Sequence, residues 1–498
     1  MTNRYGLNLR RAWIRVLSQL HKDPIPDILR WQDFRPVWPQ WEQTLETALD
    51  NGSYLPIGAV IVEVPKDGLL SRPIAVMRPQ DRVVYEALGD ELVGPIDATL
   101  SESVYSFRLK PSQSHLGLRG LRPQIRSWTR FYEVARALHA DNGYGFALTT
   151  DITSYFEYVD IEVLIKELAA VPGIGQSHLE LLSKILNSLQ RSTDIWGLPQ
   201  GRTTSSILGN FYLLPLDTAI SRQPVRFIRY SDDIKIFANG PSDLRLALRD
   251  LIGILRNRHL NLSFHKTRIL AGTEILDEFE DSKKAAIDYG FDIGDTGTAA
   301  ELTELFDRAV SKNPVDSRDV RFAIPRLAKL ENPHAVPWIL DHLPEVPYLA
   351  SHLVEYLDVH MERMPEIEER VRSYLDDPKE NIYPYSELHV IRMLARAKTL
   401  SDETRNSIWR ILMDQNKDRF VREHAARCVG RHAALGDTAL LKAYFRTTPS
   451  VSLRRALLVA IVESGPADAA WLGNVANDDP ALAATCQYLR TARHLPSP

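Results

Sequence analysis

The sequence predicts an α+β region followed by an all-α region, and three observations carry that prediction. Two β-rich runs, Val225 to Tyr230 and Ile234 to Ala238, flank an acidic pair, which is a hairpin signature. Upstream, apolar residues recur at helical spacing, as at Leu164, Ile165 and Leu168 and again at Leu181, Leu182, Ile185 and Leu186. Beyond about residue 300, strand signals nearly vanish and short helical segments recur, punctuated by Asn332-Pro333, Asp377-Pro378 and Asp479-Pro480.

Taken in order, Trp13 to about Asp50 is mostly helical, broken by Pro24, Pro26, Pro36 and Pro39. Strand-like runs follow at Leu55 to Val64 and Gly145 to Asp151, and residues 161 to 190 read as helix. Residues 271 to 300 turn acidic and glycine-containing with no apolar period, so a domain junction is expected there, dividing 1–285 from 286–498. Near the C-terminus FVREHAARCVGRHAALGD, SVSLRRALLVAIVESGP and PALAATCQYLRTARHLP follow one another at about thirty residues. This resembles helical-hairpin repeats of the HEAT kind, somewhat shorter than usual, with an irregular helical domain as the alternative.

At 498 residues the chain is too long for one ordinary core, which implies two or three domains. Hydrophobic content of 44% and charged content of 25% fit a soluble globular protein and argue against disorder. A formal charge of −4 gives no overall attraction to nucleic acid, so any phosphate-binding surface must be a local patch among the 60 Lys and Arg residues. Two cysteines, Cys428 and Cys486, exclude both a four-cysteine zinc site and a disulfide framework, and read as buried thiols. Arg10, Arg11 and Arg15 interrupt any signal-peptide core, and no stretch reaches the apolar length of a membrane span. A cytoplasmic protein with no membrane partner is expected.

The chemistry is carried by carboxylates. Asp232 and Asp233 sit between apolar β-type runs and belong at a tight turn, because alternating strand faces cannot bury both comfortably. The run Gly145 to Asp151 is an apolar strand that ends in an acid just before a helical stretch, where Asp151 could either cap the helix or project into a cleft. Together the two elements match phosphoryl transfer, which needs anionic side chains to hold a pair of Mg²⁺ ions about 3.5–4 Å apart. Asp151 and Asp232 would bridge the ions, Asp233 would complete or support the site, and the backbone of Ile152 would add a ligand.

In this sequence DITSYF resembles motif A of reverse transcriptases, GLPQGRTTSSILGNFYLLPLD resembles motif B and YSDD resembles motif C, in the right order. The run from His259 to Thr267 is similar to motif D; Ser71 to Ile74, Asp81 to Val84 and Val104 to Arg108 resemble the fingers blocks of bacterial reverse transcriptases. The resemblance covers about residues 65 to 270 and implies an α+β palm and fingers, followed here by the all-α HEAT-like domain. It implies Asp151, Asp232 and Asp233 as the catalytic acids, with two Mg²⁺ as cofactor and Mn²⁺ as a substitute. Lys266 would assist pyrophosphate departure, and Phe156 would gate the sugar against a 2′-hydroxyl. Gln200 and Gly201 would lie near template and incoming base, and Arg72, Arg78 and Arg82 are candidates for the triphosphate. One departure stands out: Arg202-Thr203-Thr204-Ser205 replaces the Ser-Pro that many intron and retroviral-type enzymes carry after the motif B glycine.

An intron maturase would bring a basic thumb region and often a cysteine-rich tail, and a retron enzyme would end soon after the thumb; neither fits. A polymerase core followed by helical repeats resembles instead the abortive-infection (AbiK-like) phage-defence reverse transcriptases. That resemblance implies dNTPs as substrates, synthesis that can proceed without a template, priming by a protein hydroxyl, and a single-stranded DNA product covalently attached to the protein. It also implies a homo-oligomer, a trimer or hexamer. The 18 tyrosines do not single out a primer. Two other readings stay open: a conventional RNA-templated enzyme with a dedicated RNA, and a helical-repeat binding scaffold with a relic polymerase fold.

Overall fold

A computed structural model describes residues 3–67, 70–193, 197–279, 284, 287, 297–465 and 468–498. Up to residue 279 the elements run α1 (Leu9–Gln19), α2 (Trp38–Asp50), β1 (Ala59–Pro65), β2 (Ser71–Met77), α3 (Pro79–Thr99), α4 (Gln124–Ala140) and β3 (Phe146–Thr150). Then follow α5 (Ile161–Leu168), α6 (Gln176–Thr193), α7 (Thr203–Tyr212), α8 (Leu214–Ile220), β4 (Arg226–Tyr230), β5 (Asp233–Ala238), α9 (Pro241–Arg256), β6 (Arg268–Ala271) and α10 (Thr273–Phe279). The chain forms two compact units: Met1–Gln19, Glu42–Val62 and Pro73–Ser282 make the first, and Leu20–Trp41, Glu63–Arg72 and Lys283–Pro498 the second.

The first unit is organised by a four-stranded antiparallel sheet in the order β4-β5-β3-β6. Its central strands are buried along almost their whole length, polar Thr149, Thr150 and Lys235 included, because both faces are covered. On one face Phe131, Ala135 and Leu138 of α4 pack with Ala147, Ile228, Phe237 and Leu270. The hairpin read from the sequence is β4-β5, with Tyr230 paired to Asp233, so Asp233 already belongs to the strand and Ser231-Asp232 make the turn.

Among the described residues the second unit carries no strand from residue 297 onward. One row of its helices begins at Ser317, Ala350, Pro384, Arg419, Val451 and Ala483, a period of about 33 residues. Each of the first five packs against the next in the row, so the unit grows by stacking neighbours and buries one long apolar core. Cys428 and Cys486 are free thiols buried within it. Among the described residues no helix is long and apolar enough to cross a membrane.

The division of the chain differs from the linear split at 285. Residues 20–41, which the sequence groups with the first region, belong to the helical unit. Ile28 and Leu29 enter its core, and Asp27 and Asp33 each meet Arg455 at 2.7 Å. Arg427 donates to the Ile28 carbonyl at 2.6 Å, and Thr485 donates to Asp33 at 2.7 Å. The prolines that break the helical pattern in this stretch produce short turns whose two acids meet the one distant Arg455, a pairing that local composition does not carry.

Candidate active site

The site is built where three backbone segments meet. Pairing of Thr150 with Ile234 sets Asp151 beyond the end of β3, across from Asp233 on the neighbouring strand about 5 Å away. The chain continues from Asp151 into a bridge between Ile152 and Leu262. Hydrogen bonds from Ser263 to the Asp151 carbonyl and from Thr153 to that of Asn261 close this bridge, so the Ile152 carbonyl lies outside the pair. The same bridge brings the motif D segment to Asp151, and Lys266 Nζ donates to Asp151 Oδ2 at 2.8 Å.

The turn that presents Asp232 is held from behind by a residue the sequence reading passed over. Arg229 is fully buried and makes a two-pronged bond to Asp217 at 2.6 and 2.7 Å. Its remaining nitrogen donates to Asn210 at 2.8 Å and to the Ser231 carbonyl at 3.2 Å. Ser231 itself adopts a left-handed φ of 58° and donates its amide to Ser106 Oγ at 2.8 Å. A buried guanidinium thus fixes a strained turn, leaving the Asp232 carboxylate little freedom to swing.

Burial, and after it the charge of Asp151, push the Asp232 carboxyl up to about 6. Burial also raises Asp233, opposed by its ion pair with Lys235 at 2.9 Å; the Lys235 side chain is buried, another feature the sequence reading missed. The three acids are therefore not equivalent. Asp151 and Asp232 repel each other electrostatically, while Asp233 is drawn to Lys235. Among the described residues no three carboxylate, imidazole or thiol side chains gather as a single cation-binding group. The donor set fits a hard divalent ion nonetheless: carboxylate oxygens plus one free carbonyl, with a repulsion between two anions that a cation would relieve.

The nucleotide candidates distribute unevenly. Phe156 lies in the turn Tyr155–Tyr158, and its carbonyl accepts from Leu198 at 2.7 Å. Motif B glycines make room for it: a Cβ at Gly197 would sit 2.1 Å from the Phe156 oxygen, and one at Gly209 would sit 3.2 Å from its ring. Gln200 is buried and donates to Glu157 at 3.3 Å, so it joins the same turn; Gly201 has φ 78° and open space around it. The Arg-Thr-Thr-Ser departure is structural in effect. Arg202 is buried and reaches the Ala75 carbonyl at 3.4 Å, Thr204 donates to the Tyr85 carbonyl, and Ser205 bonds the Tyr85 hydroxyl. These contacts tie α7 to α3, and the residue before α7 to β2, within the first unit. Arg78 is exposed at the start of α3, and Arg72 is exposed in the segment that groups with the second unit. Arg82, expected on the triphosphate, is instead buried with its charge beside Glu86.

Residues 64–306 match the family model described as reverse transcriptase (RNA-dependent DNA polymerase). That stretch, a little under half of the chain, is similar to a reverse transcriptase domain. The COX1/OXI3 intron 1 protein of Saccharomyces cerevisiae is 23% identical to this chain over 292 residues, 46% of this chain and 33% of that protein. The chain thus spans about a third of the length of that curated relative. A solved structure of telomerase from Candida albicans, in complex with a fragment of telomeric RNA, aligns with 88% of this chain and 65% of its own at 11% identity. Its TM-score of 0.33 is too low to define the fold. The matched stretch contains every candidate acid, together with Lys266, Phe156, Gln200 and Gly201.

Proposed function

We propose that this chain is a Mg²⁺-dependent DNA polymerase of the reverse transcriptase type acting in antiphage defence. The observation that carries the polymerase reading is the Asp151–Asp232 pair, one carboxylate just past the end of β3 and the other in the β4-β5 turn, where burial and then the charge of Asp151 raise Asp232 despite the opposing charge of Lys266. Asp151, Asp232 and the Ile152 carbonyl would hold the ions, with Asp233 in support. Two bound divalent ions would supply activation of the attacking hydroxyl and neutralisation of the leaving pyrophosphate. Lys266, which pairs with Asp151 at 2.8 Å, would donate a proton as the pyrophosphate departs. Phe156, in the turn Tyr155–Tyr158 with its ring against Gly209 of α7, would exclude a 2′-hydroxyl, and Arg78 would meet the triphosphate.

The defence assignment rests on the ordered motifs followed by a helical array, the combination that resembles abortive-infection reverse transcriptases. On that reading the helical unit mediates a homo-oligomer, and DNA is built untemplated on a protein hydroxyl. The test is incubation of the purified chain with labelled dNTPs and Mg²⁺, with and without primer and template, followed by denaturing electrophoresis before and after proteolysis. The proposal expects labelled DNA that migrates with protein until digestion. No labelled polymer under any condition, with Asp232→Asn equal to wild type in a phage challenge, would refute it. Homogeneous products complementary to a copurifying RNA would replace untemplated synthesis with templated copying.

A further inference from the structure

A groove of about 370 Å³ lies along the first turns of α4, on the first unit. Lys110, Arg122, Arg126 and Arg130 line it with Tyr105 and Ser127, and the residues lining it include no carboxylate. In a chain of net charge −4 this is the kind of local basic patch that phosphate binding requires. Its cations are largely uncommitted. Arg126 has no acidic partner among the described residues. Arg122 spends only Nε, on the Leu109 carbonyl at 3.1 Å, and Arg130 pairs with Glu133 at 3.2 Å on the open surface, where such pairs are weak. The second observation is Ser127. Its side chain is 6% exposed and its hydroxyl has no hydrogen-bond partner, an arrangement that is costly unless a ligand atom completes it.

The neighbours of the groove favour a polymer over a small anion. Trp128, 39% exposed, packs edge-on against Tyr230 at 4.9 Å, and Ile125 beside it is 73% exposed. Tyr230 donates to Gln124 Oε1 at 3.0 Å, which ties the start of α4 to the residue two before Asp232. The Tyr105 amide, in turn, bonds the Arg229 carbonyl at 3.0 Å. Cations interleaved with half-exposed rings are the pattern that grips sugar-phosphate while leaving bases a surface to stack on.

We propose that this groove binds a single strand of nucleic acid, with Lys110, Arg122, Arg126 and Arg130 on successive phosphates, a free phosphate oxygen accepting from Ser127, and Trp128 beneath a base. The proposal rests on the polymerase reading for its ligand, and its test separates the two. Full-length protein is titrated into a fluorescein-labelled oligodeoxythymidylate by anisotropy over a salt series, using wild type, Arg122→Glu/Arg126→Glu, Trp128→Ala and Asp232→Asn. The double variant should bind at least about tenfold more weakly, with a log–log salt slope shallower by about 1.4, since each phosphate contact on a single strand contributes about 0.7. Trp128→Ala should weaken binding several-fold with an unchanged slope, and Asp232→Asn should bind like wild type whether or not the chain synthesises DNA. Hydrogen exchange should show oligonucleotide-dependent protection of residues 122–130 in wild type, a readout that does not depend on the variants folding. Wild-type affinity and slope in the double variant would overturn the proposal, as would absence of that protection. Full displacement of the oligonucleotide by millimolar inorganic phosphate would mark a small-anion site and overturn it equally.

Discussion

The unequal environments of the three acids make them separable by single substitutions. Asp232→Asn removes one of the two carboxylates that repel each other and should lower dNTP incorporation by more than about a hundredfold, because even residues that only support metal ligands cost about 10–100-fold. Asp233→Asn should be milder, since Lys235 already neutralises that side chain. A steady-state comparison of the two variants checks this order, and equal losses would contradict it. Phe156→Ala removes a ring seated against Gly209 and should raise ribonucleotide use at least about tenfold relative to dNTPs, measured as the ratio of kcat/KM values. The candidate acids were legible from the sequence because strand, turn and acid are written within a few consecutive residues. Arg229 was not, because its partners Asp217 and Asn210 lie on α8 and α7 and meet it only when those helices pack against the hairpin; Lys235, two residues from Asp233 on β5, has a local partner, and what the sequence hides is its burial.

Among the structural elements, the segment Leu20–Trp41 is the one whose place the sequence concealed, and it has testable energetics. Arg455 neutralises both Asp27 and Asp33, so Arg455→Ala leaves two acids without their counter-charge and should destabilise the helical unit by about 3–5 kcal/mol in urea denaturation. The same segment makes stability pH-dependent. His424 Nε2 bonds the Pro26 carbonyl at 3.0 Å, and burial, followed by the charge of Arg392, pushes its imidazole down to about 3. Unfolded, the ring titrates near 6.5, so between about pH 6.5 and 3 the unfolded chain binds the proton and the folded one does not. The stabilisation is whole above that window and drains away as pH falls through it, by at most about 5 kcal/mol. His424→Asn should flatten the decline in Tm between pH 7 and 4, and an unchanged decline would assign it to other groups. The strands and the helix row were readable because period-2 and period-3.6 patterns are local. The docking of a proline-broken stretch depends on partners far along the chain, and no local pattern encodes it.

Across the chain, the helical unit is not a contiguous C-terminal module. A fragment consisting of residues 286–498 lacks Ile28 and Leu29 from its core, takes both acids from Arg455 and leaves Arg427 its ion pair with Glu463 but not the Ile28 carbonyl. It should melt at lower temperature than the same unit in the full chain and bind a hydrophobic dye. Adding a peptide spanning residues 20–41 should reverse both effects, and a fragment as stable as the parent would contradict the assignment of that segment. The separation between Asp27 and Arg455 is 428 residues, and it sets a timetable for biosynthesis. At about 5–20 residues per second, roughly 20 to 85 seconds pass between emergence of the acidic segment from the ribosome and the arrival of the arginine that receives it. Throughout that interval Ile28 and Leu29 have no finished core to enter, so the segment 20–41 should stay open to protease on ribosome-bound chains until Arg455 has emerged.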